Sequence, residues 1–349
     1  MDTKAQIRVK LVDRSGRPGY SPWAIQCPGN QAKWGRCVYD ADPFSRDYDW
    51  LVVKNDIPKI LGCKEVLSCP RERTLLFTSE PSSVTRYGHA FSAQFGQVLT
   101  SQEPWALPHP NAIRSQTGNL WHYRKSYDEI KAMQPPVKTG LISTLCSSKQ
   151  MAYTAHARRH AFTQRLKTEL PELELFGRGV RFIADKAEAI APFKFHLAIE
   201  NHISEHHWTE KLADAFLGYA VPIYCGCTNI FDYFPEDSLL HIDIDDFEGS
   251  LRAIQRLLST EGEYERRLGA VIEARRRVLD EYNLPAMISR IIEGCEYSTS
   301  RNDIGGVIYN RRTMRVRHPA DFFRFAGWRV GNFLRDIKYQ IRSVLMPRR

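Results

Sequence analysis

Apolar and polar positions alternate through AQIRVKLVD (residues 5–13), as in a strand, and compact apolar runs follow at DYDWLVV (47–53) and RTLLFT (73–78). Turn chemistry in PGN, CPR and SEPSS separates them. Residues 102–123 carry three Pro and two Trp and read as an irregular segment lining something. From about residue 139 the pattern becomes regular. GLISTLCSS (140–148) reads as a strand, 156–170 as an amphipathic helix ended by Pro171, 172–179 as strand and turn, and FKFHLAIEN (193–201) as a strand. TEKLADAFLGYA (209–220) reads as a helix with Thr209 as N-cap, AVPIYCG (220–226) and SLLHID (238–243) as strands, and 247–259 as a helix. Strand–helix–strand repeated in this way predicts a parallel, doubly wound sheet, with ligands beyond the carboxyl ends of its strands.

A chain of 349 residues is too long for one growing core, so two domains are expected. Hydrophobic content of 43% with 26% charged residues is that of a globular protein, and no stretch is long and apolar enough for a transmembrane helix. The opening MDTKAQIRVKLVDR lacks an apolar signal core, so export is not expected. Eight cysteines, at 27, 37, 63, 69, 146, 225, 227 and 295, show no CxxC pair and suit free thiols in a reducing compartment.

Charge changes the picture only at the end of the chain. Residues 311–349 hold eleven Arg or Lys against two Asp, a surplus of nine, whereas residues 1–310 carry 38 of each sign. Within the tail, residues 320–346 space apolar groups at 322, 326, 330, 333, 337, 341 and 344, a helical interval, with Arg324, Arg335, Lys338 and Arg342 on another face. A basic amphipathic helix rich in Phe and Trp suits an anionic membrane surface; the alternative is a helix packed on the protein body. Nothing in the body reads as a nucleic-acid motif.

The densest polar stretch is IENHISEHHWTEKL (199–212), between a strand and a helix N-terminus. Free backbone N–H groups and the helix dipole favour a phosphate there. Lys211 could reach a diphosphate and Glu210 could hold two hydroxyls of a ribose, although both also suit an ordinary helix start. His202, His206 and His207 precede the helix, so they lack the helical spacing of a metal pair, and packing is the better reading of all three.

The longer string FKFHLAIENHISEHHWTEKLADAFLGYAVPIYCGCTNIFDYFPEDSLLHID resembles the donor-binding signature of the α-1,3-fucosyltransferases, glycosyltransferase family 10, in its bacterial form. K-F, E-N, T-E-K, V-P-I-Y-C-G and Y-F-P-E-D-S match in order between residues 193 and 243. SSKQMAYTAHARRHAFTQRL resembles the segment that carries an Arg opening a helix, and LLFTSEPSS (75–83) resembles the acceptor-side turn. The resemblance implies an α/β, GT-B-like fold of two Rossmann-like domains facing across a cleft, plus the C-terminal amphipathic helical tail. It divides the chain into an acceptor-binding domain (1–138), a nucleotide-sugar donor-binding domain (139–297) and the tail (298–349). It implies that Arg159 and Lys211 hold the diphosphate, with adjacent Arg158 as a rival, and that Glu210 binds the ribose. Glu200, Asn201 and His207 would surround the donor, and Glu80 would be the catalytic base. His207 and His202 stand where the family has Tyr and Ser, which leaves donor identity open. The implied reaction is inverting transfer of L-fucose from GDP-fucose to a glycan hydroxyl, forming an α-1,3 link on a lipopolysaccharide or other surface glycan. It needs no metal or other cofactor. The implied partners are a nucleotide-sugar donor and a glycan acceptor; the basic tail adds an anionic membrane, and with no apolar N-terminal anchor in the sequence the expected location is cytoplasmic, on the inner face of a bacterial cell membrane. The alternatives are a transferase using another activated sugar and an inactive glycan- or nucleotide-binding module.

Overall fold

A computed structural model describes residues 5–14, 23–118, 120–145, 154–177, 180–295 and 305–345. Cys146, the end of the strand expected at 140–148 and the segment 147–153 lie outside the described residues. The chain forms two compact units, one of Met1–Gly118, Ser126–Asp128 and Tyr282–Phe333, the other of Asn119–Lys125, Glu129–Glu281 and Leu334–Arg349.

In the first unit β1 (Ile7–Asp13), β2 (Lys33–Trp34), β3 (Cys37–Asp40) and β4 (Trp50–Lys54) are followed by β5 (Lys64–Val66), β6 (Thr74–Phe77), β7 (Gln97–Thr100) and β8 (Ala112–Arg114). Seven of them form a sheet in the order β2-β3-β1-β4-β6-β7-β8, parallel except for the β2–β3 pair. TLLF of β6 is buried throughout, as a continuous apolar run should be in the middle of a parallel sheet. The alternation in β1 would turn Lys10 to water. Instead it is buried and ion-paired with buried Glu65 at 2.9 Å, which ties β1 to β5.

The second unit carries β9 (Gly140–Leu145), β10 (Leu173–Phe176), β11 (Phe193–Ser204), β12 (Val221–Cys227) and β13 (Leu240–His241) in a fully parallel sheet ordered β10-β9-β11-β12-β13. Each strand read from the sequence beyond residue 139 is present. The helices α1 (His89–Ser92), α2 (Tyr127–Ala132), α3 (His156–Glu169), α4 (Ala187–Ile190), α5 (Glu210–Leu217), α6 (Phe247–Ser259) and α7 (Glu263–Asp280) follow in chain order. Thr209 caps α5 as expected, its side chain accepting from the Lys211 N–H.

The division of the chain departs from a simple split near residue 138. After α7 the chain re-enters the first unit with α8 (Leu284–Glu293). The Tyr39 hydroxyl lies 2.7 Å from the Pro285 carbonyl and 2.6 Å from Ser289 Oγ, and the Arg36 N–H donates to Glu293 at 2.8 Å. β14 (Val307–Tyr309) then pairs antiparallel with β5, and α9 (Arg311–Arg317) adds Met314 to the same core as Leu51, Leu76 and Phe91. Part of what reads as a tail is therefore body.

The last helix, α10 (Pro319–Leu345), matches the expected helix at 320–346 within a residue or two. Its expected apolar stripe points largely outward: Phe322, Val330, Phe333 and Ile341 are exposed, as are Phe323 and Leu334, while Asp321 and Asn332 are buried. No helix among the described residues is long and apolar enough to cross a membrane.

Candidate functional site

In the second unit a cavity of about 280 Å³ opens along β11, between the start of α3, the segment leading into α4 and the first turn of α5. Its position follows from the strand. β11 pairs regularly with β12 up to Ile199, then the register shifts before Ser204, so Glu200 and Asn201 leave the ladder where the chain turns toward α5. Asn201 lines the cavity, and its buried Oδ1 has no hydrogen-bond partner. Such an atom wants a donor group from a ligand.

Three cations, Arg159, Lys186 and Lys211, and two carboxylates, Glu210 and Asp214, line the same cavity. Lys211 Nζ lies 3.3 Å from both Glu200 and Glu210, and Lys186 Nζ lies 2.9 Å from Asp214 and 3.9 Å from Glu210. Burial alone would push the Glu210 carboxyl up, but Lys211 and Lys186 hold it down to about 2. Burial likewise opposes the charge on Lys211, and Glu200 and Glu210 more than restore it, raising its pKa. At neutral pH the site thus offers an ionised carboxylate that can only accept hydrogen bonds and an ammonium that can only donate. The first suits paired hydroxyls, the second phosphate oxygens.

Glu200 is fully buried and does not line the cavity. Its carboxylate accepts from the Thr209 N–H at 2.7 Å and the Thr209 hydroxyl at 2.8–2.9 Å, and pairs with Lys211. It anchors the α5 N-terminus and orients Lys211. Gly226 of the G in VPIYCG has the same purpose: a Cβ there would lie 2.4 Å from Glu200 Cγ.

The two adjacent arginines separate cleanly. Arg159 is buried, lines the cavity and donates to the Ile199 carbonyl at 3.3 Å. Arg158 has a half-exposed side chain paired with Asp245. His207 is buried edge-on against His202 and is not among the residues lining the cavity. His206 adopts a left-handed backbone (φ 60°), its N–H donating to Asn229 at 2.8 Å and its ring bonded to the Tyr233 hydroxyl at 2.7 Å. Among the described residues no cluster of His, Cys, Asp or Glu has a metal-binding arrangement.

Sequence reasoning missed Lys186, Asp214 and His196. Lys186 lies just ahead of α4, in the connection from β10 to β11, and a lysine in such a connection of a parallel sheet was the available signal. His196 sits mid-strand on the cavity wall. The Ser143 hydroxyl donates to the Ala189 carbonyl at 2.5 Å, so at 2.9 Å it accepts from His196 Nδ1, which fixes a neutral ring protonated on Nδ1. Burial, helped by Lys186 and Lys138, lowers its pKa to about 3.

Glu80 belongs to the first unit. It is exposed, just beyond the carboxyl end of β6, and its backbone carbonyl accepts from Gln102 at 2.8 Å. The preceding Ser79 is pinned by Asn55, whose side-chain carbonyl accepts from the Ser79 N–H at 2.8 Å.

Residues 136–267 match the family described as "Glycosyltransferase family 10 (fucosyltransferase) C-term". A putative fucosyltransferase-like protein of Arabidopsis thaliana is 28% identical over 147 residues, 41% of this chain and 28% of that protein. The 4-galactosyl-N-acetylglucosaminide 3-alpha-L-fucosyltransferase 9 of Homo sapiens is 33% identical over 93 residues, 25% of each chain. The chain thus spans little more than a quarter of the length of these relatives. A solved alpha1,3-fucosyltransferase with GDP shares 15% identity over 81% of this chain and 94% of its own, at a TM-score of 0.48.

Proposed function

We propose, from the premise that residues 136–267 are a glycosyltransferase family 10 C-terminal domain, that the protein is an inverting fucosyltransferase. It would move L-fucose from GDP-fucose to a glycan hydroxyl, with an α-1,3 link as the expected product. The observation that carries this reading is the convergence of Arg159, Lys186 and Lys211 with ionised Glu210 in one cavity, a set suited to a nucleoside diphosphate. Arg159 and Lys211 hold the diphosphate, and Lys186 adds a third cation. Glu210 accepts from the ribose hydroxyls, and the Asn201 carbonyl accepts from the ligand.

In the reaction the acceptor oxygen attacks the anomeric carbon on the face opposite the diphosphate. The bond from that carbon to the diphosphate oxygen breaks, and the electron pair leaves with GDP. The acceptor proton passes to Glu80. Cations already fixed at the diphosphate stabilise the charge that develops there, a task that otherwise falls to a bound metal ion, so no cofactor is invoked. Nucleoside diphosphate release measured across a panel of sugar nucleotides, with and without glycans, tests the reading. Release from GDP-fucose alone supports it. Turnover of another donor selects a relative with different sugar specificity, and nucleotide binding without turnover selects an inactive module. Glu80→Gln should keep nucleotide affinity and lose transfer; normal transfer would remove Glu80 as the base.

The outward apolar stripe of α10, flanked by exposed Arg324, Arg335 and Lys338, supports a peripheral membrane location on the cytoplasmic face, with access to a lipid-linked surface glycan such as lipopolysaccharide. Replacing Phe323, Phe333 and Leu334 together by Ser should release the protein from vesicles containing anionic lipid. Unchanged co-sedimentation would overturn this.

A further inference from the structure

The first unit holds a second cavity, of about 290 Å³, whose walls include Arg86, Arg315, Arg324, Trp105, Phe325 and Trp328. Three guanidinium groups in one small space repel one another, and among the described residues only one carboxylate, Asp321, lines the cavity with them. Asp321 is already engaged: one oxygen accepts from the Ala90 N–H at 2.7 Å and the other lies 3.4 Å from Arg324. Arg315 donates through Nη2 to the Arg86 carbonyl at 2.7 Å, but its Nε is buried with no hydrogen-bond partner. A buried charged donor left unmatched is costly, and an anion would match it.

The rings narrow the class of anion. Arg86 lies over Trp105 at 4.3 Å and Arg315 over Phe325 at 3.7 Å. Stacking occupies a flat face of each of these two guanidinium groups and leaves the unpartnered Nε–H of Arg315 in the guanidinium plane for a carboxylate or phosphate. Trp105 remains 65% exposed, and Trp328 adds a second indole to the wall. A free inorganic ion has no use for two indoles, and a neutral sugar has no use for three arginines.

Position links this cavity to the reaction. Arg86 and His89 follow β6 and Trp105 follows β7, so the cavity lies beyond the carboxyl ends of adjacent parallel strands, as Glu80 does. Gln102 Nε2 donates to both the Glu80 and Thr85 carbonyls, at 2.8 and 3.2 Å, and so bolts the segment that runs from Glu80 to Arg86.

We infer that this cavity is an acceptor subsite for an acidic saccharide, one that carries a carboxylate or a phosphate. The sugar ring lies on the indoles and its anion meets Arg86, Arg315 and Arg324. The inference rests on the glycosyltransferase reading for its role and on the first unit alone for its binding chemistry, so the two are separable.

The test is calorimetric titration of the full chain with methyl β-glucuronide, glucose 6-phosphate and neutral methyl β-glucoside, with GDP titrated in parallel. One or both acidic sugars should bind at least about tenfold more tightly than the glucoside, the value of one charge-assisted hydrogen bond, and more weakly as salt rises. Preference for the glucuronide assigns a carboxylate and preference for the sugar phosphate assigns a phosphate. Arg324→Gln and Trp105→Ala, both at exposed positions, should each weaken this binding about tenfold and leave GDP affinity unchanged. Equal binding of all three sugars, or acidic-sugar binding indifferent to both variants, would overturn the inference. Loss of GDP binding in the parent chain with acidic-sugar binding retained would overturn the donor reading alone.

Discussion

Lys211→Ala removes the counter-charge of Glu200, a carboxylate with no exposed surface. Breaking an enclosed ion pair costs about 3–5 kcal/mol, because the remaining charge is left buried. Here the cost should be nearer 2 kcal/mol: Lys211 is 24% exposed and screened to that extent, and the bonds from Thr209 to Glu200 survive. In the Lys211→Ala background, Glu200→Gln replaces the stranded carboxylate with a neutral amide, and should recover about 1 kcal/mol. Urea unfolding of the two single variants and the double variant measures that coupling. GDP affinity, read by calorimetry, should fall about 10- to 100-fold on loss of one charge-assisted bond to phosphate, and Glu200→Gln should not restore it. Stability and affinity thus respond to different partners of one side chain. A coupling below about 0.5 kcal/mol would refute the view that Glu200 and Lys211 form one buttressed pair.

Three further outcomes follow from the same site. Gly226→Ala places a Cβ 2.4 Å from Glu200 Cγ and 2.6 Å from the Tyr224 hydroxyl, both deeply buried, so it should lower stability by about 1–3 kcal/mol and weaken GDP binding; an unchanged melting temperature counts against it. Arg159→Ala should weaken GDP binding at least tenfold, whereas Arg158→Ala breaks only an exposed pair and should change stability by less than about 1 kcal/mol and affinity little. His196 has a folded pKa of about 3 against 6.5 in the unfolded chain. Above pH 6.5 it is neutral in both states; between 6.5 and 3 only the unfolded chain takes up the proton, so stability is lost as pH falls. His196→Gln should flatten that part of the urea-midpoint curve between pH 7 and pH 4, and an unaltered acid slope would exclude His196 as its source.

What was legible in the sequence is local in origin. The alternation of strand and helix beyond residue 139, the Thr209 cap and the placing of Glu210 and Lys211 in the first turn of α5 all depend on neighbours a few residues apart. Backbone periodicity and capping chemistry act over that range, so the parallel sheet and the place of two residues of the candidate site could be read directly. The rest was settled by contacts between distant segments. Arg158 and Arg159 are adjacent and chemically identical, and only the packing of α3 against β11 buries one and leaves the other at Asp245. Glu200 reads as a ligand-facing acid beside Asn201, yet the register shift in β11 turns it inward to Thr209 and Lys211. Lys186 finds Asp214 across 28 residues, and Arg86 shares a cavity with Arg315 and Arg324 across more than 200. The return of α8, β14 and α9 to the first unit is of the same kind: short, unexceptional segments whose place is chosen by the core they complete, which no window of sequence contains.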